Sequence, residues 1–154
     1  MGPATDTTAG PEVISVRPIP KADAVAFIRV HHYAGSSVWS SHTHLGVFSG
    51  AEFIGAIQFG PGMNPRSGAR VVEGSTPEQW CELNRMAFLP SRPENTGSQA
   101  VSLAVRYLRR QRPQLAWVQS FADSRCERFG SVYQACSFLY LGSLALEYMA
   151  VVKL

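Results

Sequence analysis

Residues 82–123 of this chain, ELNRMAFLPSRPENTGSQAVSLAVRYLRRQRPQLAWVQSFAD, have the pattern of two strands joined by a helix. We predict a strand over 82–89, a short and largely apolar run that ends at a proline. The polar NTGS at 95–98 is typical of a helix start. The helix behind it has one apolar face, formed by Val101, Ala104, Val105 and Leu108. A second strand is predicted over 115–122. Because a crossover helix joins parallel neighbours, we expect these two strands to run parallel and to splay apart into a cleft.

Shorter segments on both sides of this unit complete the predicted order of elements. Runs bounded by Gly, Pro and Ser indicate further strands at 13–17, 44–49, 51–59, 138–141 and 146–152. The second and third of these are joined by Ser49-Gly50, which predicts a tight hairpin. Two further helices are predicted over 22–30 and 130–135. Helices that alternate with the strands of one mixed sheet predict an α/β fold (α+β in some schemes) with three layers and the sheet at the centre.

The composition is that of one globular domain. The chain has 154 residues, of which 45% are hydrophobic and 16% charged, and this length suffices for a single sizeable core. The small, polar, proline-containing residues 1–12 are expected to be a flexible N-terminal tail, and residues 13–154 a single domain. No apolar run approaches the roughly 18 residues of a membrane helix, so we expect neither a signal peptide nor a membrane partner.

Cysteine content and charge indicate the surroundings in which the protein works. Its three cysteines, Cys81, Cys126 and Cys136, are widely spaced and form no CxxC pair. This arrangement argues for a reducing cytoplasm and against a disulfide framework or a cysteine zinc site. The formal net charge of +3 is compatible with a polyanionic partner but does not identify one by itself.

Five short motifs resemble those of the Mom family of phage DNA-modification proteins. They are ELNR at 82–85, NTGS at 95–98, FAD at 121–123, GSVYQA at 130–135 and FLYLG at 138–142. Each motif is weak alone, and their shared order and spacing makes the combination specific. The resemblance implies a GNAT-like acyltransferase fold and a DNA partner in the cytoplasm of a bacterial host. It also implies conversion of adenine to an N6-carbamoylmethyl derivative, which protects phage DNA from host restriction.

The predicted helix start is the candidate cofactor site. The unpaired backbone N–H groups of a helix start are a natural seat for phosphate. The resemblance implies that an acyl-CoA such as acetyl-CoA is bound there by Asn95, Thr96, Gly97 and Ser98, with Asn95 as the cap. Gly97 would let the ligand approach the backbone, and Ser98 adds a hydroxyl donor. The segment has a single glycine, whereas acetyl-CoA users of the GNAT fold carry a Q/R-x-x-G-x-G/A loop here. The alternative role of Ser98 is that of an ordinary capping residue.

Arg85, Ser98, Asp123 and Tyr133 are the candidate catalytic residues. Arg85 lies in a predicted central strand, where a permanent charge either pairs with Glu82 or Asp123 or points into a cleft to meet an anion. Asp123 ends a strand, where open sheets collect their chemistry. Tyr133 lies in the region where GNAT enzymes often place the tyrosine that protonates the departing thiolate. The alternative for Tyr133 is an ordinary core tyrosine.

An iron site is a further candidate, and it rests on the resemblance. His32, Tyr33 and Asp123 match family positions, and nitrogen and oxygen ligands suit iron better than a thiolate set. Without a metal, Asp123 could act as general base toward the adenine amine, with His32 as its orienter. The alternative for His31 and His32 is an ordinary helix C-terminus, which favours a cationic imidazole.

A base-modifying enzyme must reach an amine that is buried in base pairing. We therefore expect the adenine to be flipped or unpaired and to stack on an aromatic ring, for which Tyr33, Trp39, Phe59 and Trp80 are the candidates. Two other functions stay open: an ordinary GNAT N-acetyltransferase acting on a small-molecule or protein amine, and a DNA-binding accessory without chemistry. The sequence does not determine the oligomeric state, and a homodimer is one of the states that stay open.

Overall fold

The computed structural model describes residues 13–123, 131–144 and 147–154, so the expected tail over 1–12 lies outside the described residues. The strands are Ile14–Pro18 (β1), Thr43–Ser49 (β2), Glu52–Gly60 (β3), Trp80–Phe88 (β4), Trp117–Asp123 (β5), Leu139–Leu144 (β6) and Glu147–Lys153 (β7). The α-helices are Lys21–His31 (α1), Gly68–Val71 (α2), Thr96–Gln111 (α3) and Ser131–Ala135 (α4), with 3-10 turns at Pro65–Ser67 and Pro77–Gln79.

All seven of these strands belong to one mixed sheet. Its order is β1-β2-β3-β4-β5-β7-β6. Every neighbouring pair is antiparallel except β4 and β5, which are parallel. The hairpin between β2 and β3 turns at Gly50, whose φ of 58° is a conformation that glycine adopts without steric cost. The predicted mixed sheet and the predicted parallel pair are thus both confirmed.

Helices cover both faces of the sheet. On one face, α1 buries Ala24 and Ile28, one turn apart, against Ala56 of β3 and Ala87 of β4. On the other face, α3 and α4 pack on the larger core. Its buried members include Leu45, Val47, Ile57, Phe59, Leu83, Val101, Ala104, Leu108, Val118 and Tyr133. Full burial of one such aliphatic side chain stabilises a fold by about 1.5–3 kcal/mol. The predicted three-layer arrangement, with the sheet at the centre, is confirmed.

Two tryptophans fix the long connection between β3 and β4. Trp80 and Trp117 stack with their ring centroids 5.0 Å apart and an interplanar angle of 6°. The Trp80 indole donates to the carbonyl of Pro65 at 3.1 Å, and the Trp117 indole donates to the hydroxyl of Ser75 at 2.9 Å. Both rings are therefore committed to the fold. Among the described residues, none of the helices is long and apolar enough to cross a membrane.

Candidate active site

The two parallel strands separate shortly after they begin. Their register joins Trp80 to Trp117, Cys81 to Val118 and Glu82 to Gln119, and it ends there. Beyond this point each strand keeps its other neighbour, β3 for β4 and β7 for β5. The sheet therefore has a fork between its two central strands, as the sequence predicted.

A bulge in β4 changes the direction of the side chains along one arm of the fork. Gln58 of β3 pairs with Arg85 and Phe59 pairs with Leu83, so Asn84 is an extra residue on β4. Such a bulge re-aims the side chains next to it. Leu83 belongs to the core under α3, whereas the Arg85 guanidinium bonds to the segment that follows α1.

A cavity of about 780 Å³ lies at the open end of the fork. Its wall is formed by residues 31–33 at the end of α1, 86–88 at the end of β4, 92–98 at the start of α3 and three residues of α4. Because α1 lies on one face of the sheet and α3 and α4 on the other, the cavity is lined by both outer layers.

The start of α3 forms one wall of this cavity, but Asn95 does not cap it as the sequence predicted. Asn95 is in the left-handed region, with φ 61° and ψ 11°, and its side chain makes no capping hydrogen bond. Instead the Thr96 hydroxyl donates to the carbonyl of Pro93 at 2.6 Å, and the Ser98 hydroxyl donates to the carbonyl of Asn95 at 3.1 Å. The N–H groups of Gly97 and Ser98 lie in the first turn, where a helix offers them no acceptor of its own.

Helix packing explains the glycine at position 97, which the sequence did not indicate. A Cβ atom at this position would lie 3.2 Å from a methyl of Val132 and 3.9 Å from the Phe88 ring. The first of these contacts is tighter than ordinary van der Waals distance, so the missing side chain lets α4 approach the start of α3. The space that a side chain at Gly97 would fill is taken up by Val132 and Phe88 and is not open to a ligand.

His32 lies on the opposite wall as a neutral imidazole. Burial, and secondarily the charge of Arg85, lowers the pKa of His32 from 6.5 to about 4. Its Nδ1 accepts a hydrogen bond from the Ala34 N–H at 3.1 Å. A neutral imidazole carries one proton, which must then be on Nε2, so His32 offers a hydrogen-bond donor there. The Tyr33 ring lies against it, with the centroids 4.3 Å apart.

Arg85 holds the segment after α1 over the sheet. Its Nε donates to the carbonyl of Ser36 at 3.1 Å, and its Nη1 donates to the carbonyl of Asn84 at 2.8 Å. These partners are backbone oxygens rather than the carboxylates considered from the sequence. Arg85 is half-buried and near enough to His32 to affect its protonation.

Tyr133 is in the core behind the cavity wall. Its side chain is 9% exposed and packs on Phe138, with the ring centroids 5.2 Å apart. Burial raises the pKa of Tyr133, and the neighbouring Ser120 hydroxyl opposes this shift. A catalytic role for Tyr133 stays a prediction. The side chain of Asp123 lies outside the described residues, so its predicted roles are untested too.

The structure thus gathers most of the predicted site. His32, Tyr33 and the segment 95–98 line one cavity, with Arg85 next to His32. Among the described side chains, no group of three or more His, Cys, Asp or Glu residues is close enough to hold a metal ion.

Sequence reasoning missed Arg92 as part of this cavity. It lies on the wall beside the start of α3, donates to the carbonyl of Leu89 at 3.3 Å and is 5.5 Å from the centroid of the Phe88 ring. Arg92 stands at the Q/R position of the Q/R-x-x-G-x-G/A loop, and this match was the signal that could have identified it. A cation here adds to the attraction of the helix start for phosphate.

Comparison with known sequences gives two matches. The model of the Mom protein family matches residues 13–153. The methylcarbamoylase mom of Escherichia phage Mu is 45% identical over 120 residues, which are 78% of this chain and 50% of that protein. This chain therefore spans about half the length of the curated relative that it matches.

Comparison with solved structures identifies the fold. The aminoglycoside acetyltransferase AAC(6')-Ib in complex with coenzyme A matches with a TM-score of 0.66 and 15% identity, over 92% of this chain and 95% of that one. FeeM, an N-acyl amino acid synthase from uncultured soil microbes, matches with a TM-score of 0.62 and 14% identity over 92% and 91%. The GNAT domain of S. lividans PAT matches with a TM-score of 0.64 and 14% identity over 90% and 89%. The chain has the GNAT fold.

Proposed function

The chain belongs to the Mom protein family, and from this membership and the geometry of the cavity we propose that it is a transferase that modifies adenine in DNA. The observation that carries the proposal is the cavity at the open end of the fork, lined by a helix start from one layer and by His32 and Tyr33 from the other. The curated relative is named a methylcarbamoylase. The proposed product is accordingly N6-carbamoylmethyladenine.

The start of α3 is the proposed site of the donor. Its first-turn N–H groups, the Ser98 hydroxyl and the nearby Arg92 offer an anion-binding surface inside a cavity of about 780 Å³, within the usual range for a small-molecule site. Solved neighbours of this fold hold coenzyme A or acetyl-CoA, which supports a coenzyme A derivative as the donor. The space that a side chain at Gly97 would fill is occupied by Val132, and the backbone N–H of Ser98 and the side chain of Arg92 are the proposed main phosphate contacts.

Adenine is proposed to enter from the side of α1. Of the four aromatic candidates, Phe59 is completely buried and Trp80 is 4% exposed, so neither offers a free face to a base. Tyr33 is 66% exposed at the cavity and Trp39 is 85% exposed on the segment after α1. Stacking of a flipped or unpaired base on one of these two rings is sequence-tolerant and needs little rearrangement.

The transfer needs one proton removed and one supplied. The donor is proposed to carry a carbamoylmethyl group, because acyl transfer from acetyl-CoA itself would give an N6-acyladenine. A bond forms between the adenine N6 atom and the methylene carbon of this group while the bond from that carbon to the leaving group breaks. Asp123 is the proposed acceptor of the amine proton, and Tyr133 the proposed donor of a proton to the leaving group. Arg85 and the Nε2–H of His32 are proposed to stabilise the negative charge that develops in the transition state.

The resemblance also implies iron at His32, Tyr33 and Asp123. The hydrogen bonding of His32 does not fit a ligand, because an imidazole that binds a metal through Nε2 carries its proton on Nδ1 and donates it. Nδ1 of His32 accepts a hydrogen bond instead, and coordination through Nδ1 would displace the Ala34 N–H. We therefore derive no step through a metal. Elemental analysis of protein purified without chelator tests the iron prediction: about one atom per chain, lost in His32→Ala, would support the site.

The alternative function is an ordinary N-acetyltransferase acting on a small-molecule or protein amine. It is favoured by the neighbours of AAC(6')-Ib type and disfavoured by the single glycine of the loop. Nucleoside mass spectrometry separates the two functions. DNA from bacteria that express the protein should contain the new adenine derivative, and should resist restriction enzymes whose sites contain adenine.

Controls for this experiment come from the same chain. Arg85→Ala and Tyr133→Phe should abolish the new nucleoside while leaving the protein folded, whereas Arg106→Ala, on α3 outside the cavity wall, should not. If only unmodified adenine is found while the purified protein acetylates a small amine, the alternative function is correct.

A further inference from the structure

Ser120 lies at the closed end of the fork. It is the first residue of β5 after Gln119, which still pairs with Glu82 of β4, and it keeps its place opposite Ala150 of β7. Because side chains alternate along a strand, Ser120 is on the same face as Val118, which belongs to the core under α3. This is the side of the sheet that carries Tyr133.

The Ser120 hydroxyl is buried and uncommitted. Its side chain is completely inaccessible to solvent, and its oxygen has no hydrogen-bond partner among the residues that the structure describes. A buried hydroxyl without a partner destabilises the fold, and alanine would occupy the same place without this cost. An uncommitted donor at the end of the fork is therefore free to bond to a group that appears during the reaction.

The group beside it is the phenol of Tyr133. Both groups are buried on the same side of the sheet, and the Ser120 hydroxyl lowers the pKa of Tyr133, against the larger opposite effect of burial. The Ser120 oxygen nevertheless has no hydrogen-bond partner among the described residues. The other titratable groups that act on the phenol, Tyr33, Cys136 and Glu82, all raise its pKa. Within the described part of the chain, Ser120 is thus the neighbour that favours the phenolate.

We infer that Ser120 is the positioning residue of Tyr133, donating a hydrogen bond to the phenolate oxygen when Tyr133 has given up its proton. The inference rests on the proposed function, which makes Tyr133 the proton donor. In this step the O–H bond of Tyr133 breaks, and its proton passes to the leaving group as the bond to the transferred carbon breaks. Ser120 holds the phenolate until water returns a proton.

The first test reads the phenol directly and needs no turnover. The full chain is labelled with 3-fluorotyrosine, the Tyr133 signal is assigned with Tyr133→Phe, and its ionisation is followed by fluorine NMR with acetyl-CoA present. Ser120→Ala should lower the ionisation constant of the Tyr133 phenol about tenfold. Ser120→Thr, which keeps the hydroxyl, should restore it. Ser49→Ala, at a buried serine of β2, should leave it unchanged.

An unchanged ionisation constant in Ser120→Ala would overturn the inference, as would a folded Ser120→Thr that behaves like Ser120→Ala. If threonine does not fit, the comparison of Ser120→Ala with Ser49→Ala decides alone. The second test is turnover: Ser120→Ala should lower kcat about tenfold at unchanged KM. A wild type that modifies no DNA would refute the proposed function and leave the NMR result to decide the role of Ser120.

Discussion

Replacing Ser98 by alanine separates a ligand contact from a helix cap, because its effect on stability can be worked out from the structure. The hydroxyl donates to the carbonyl of Asn95 at 3.1 Å in exposed surroundings. Such a bond contributes about 0.5–1.5 kcal/mol, and the low end applies where water can replace it. Alanine is the better helix former by about 0.5 kcal/mol. The two effects nearly cancel, so the free energy of unfolding should change by less than about 0.5 kcal/mol.

The effect of the same substitution on binding should be much larger. If the Ser98 hydroxyl contacts a cofactor phosphate, a hydrogen bond to a charged group is lost, which corresponds to about tenfold or more in affinity. Urea unfolding measures the stability, and calorimetric titration with acetyl-CoA measures the affinity. The matched control is Ser102→Ala, one turn further along α3, where the hydroxyl bonds to the Cys136 sulfur at 3.5 Å. Unchanged affinity in Ser98→Ala, or a loss of stability as large as the loss of binding energy, would refute the cofactor role.

Three further predictions follow from the charges and exposures of the α1 side. Arg85→Ala should raise the pKa of His32 from about 4 but leave it below 6.5, since burial is the larger cause of the shift. An NMR titration of the imidazole checks this, with Arg85→Lys as the control that keeps the charge. Stability should fall as the pH drops from about 6.5 to about 4. In that window the unfolded chain binds protons at His32 and His42 while the folded chain does not. The urea midpoint of His42→Asn should therefore depend less steeply on pH than that of the wild type. An equal slope in the two proteins would contradict the contribution of His42. Trp39→Ala should reduce adenine modification while leaving the melting temperature nearly unchanged, because the ring is 85% exposed. A variant with a lower melting temperature and normal DNA modification would show that Trp39 has a structural role instead.

The fold was accessible from the sequence because its elements are periodic and their connections are constrained. The apolar face of α3 and the apolar strands on either side of it predict a crossover, and a crossover joins parallel strands. Local turn chemistry was predicted less accurately. Ser75 and Glu78 have the spacing of a capping box, but the box in the structure begins one residue later, where Gln79 accepts from the Thr76 N–H at 2.9 Å. Two overlapping Ser/Thr-x-x-Glu/Gln patterns compete there, and sequence alone does not choose between them.

The site was accessible only in part, because side-chain direction depends on packing. Without the bulge at Asn84, strand alternation would put Arg85 on the face of Leu83. The role of Gly97 in helix packing depends on the position of Val132, which is distant in sequence. The buried, unpartnered hydroxyl of Ser120 has no signature in the sequence, since serine on a strand is ordinary. These features appear only when the distances between elements are known.

The dimensions of the cavity constrain how two substrates can meet in it. In the proposed reaction a DNA duplex cannot enter a space of about 780 Å³, so the part of the DNA that would reach the fork is a base turned out of the helix or left unpaired. The exposed ring of Tyr33 is on the α1 wall, and the start of α3, the proposed donor site, is on the other wall. Entry of base and donor from the same side would force two substrates through one opening. In the proposed reaction, entry from opposite layers would bring the adenine amine and the transferred carbon together at the fork, where β4 and β5 leave the space between them open.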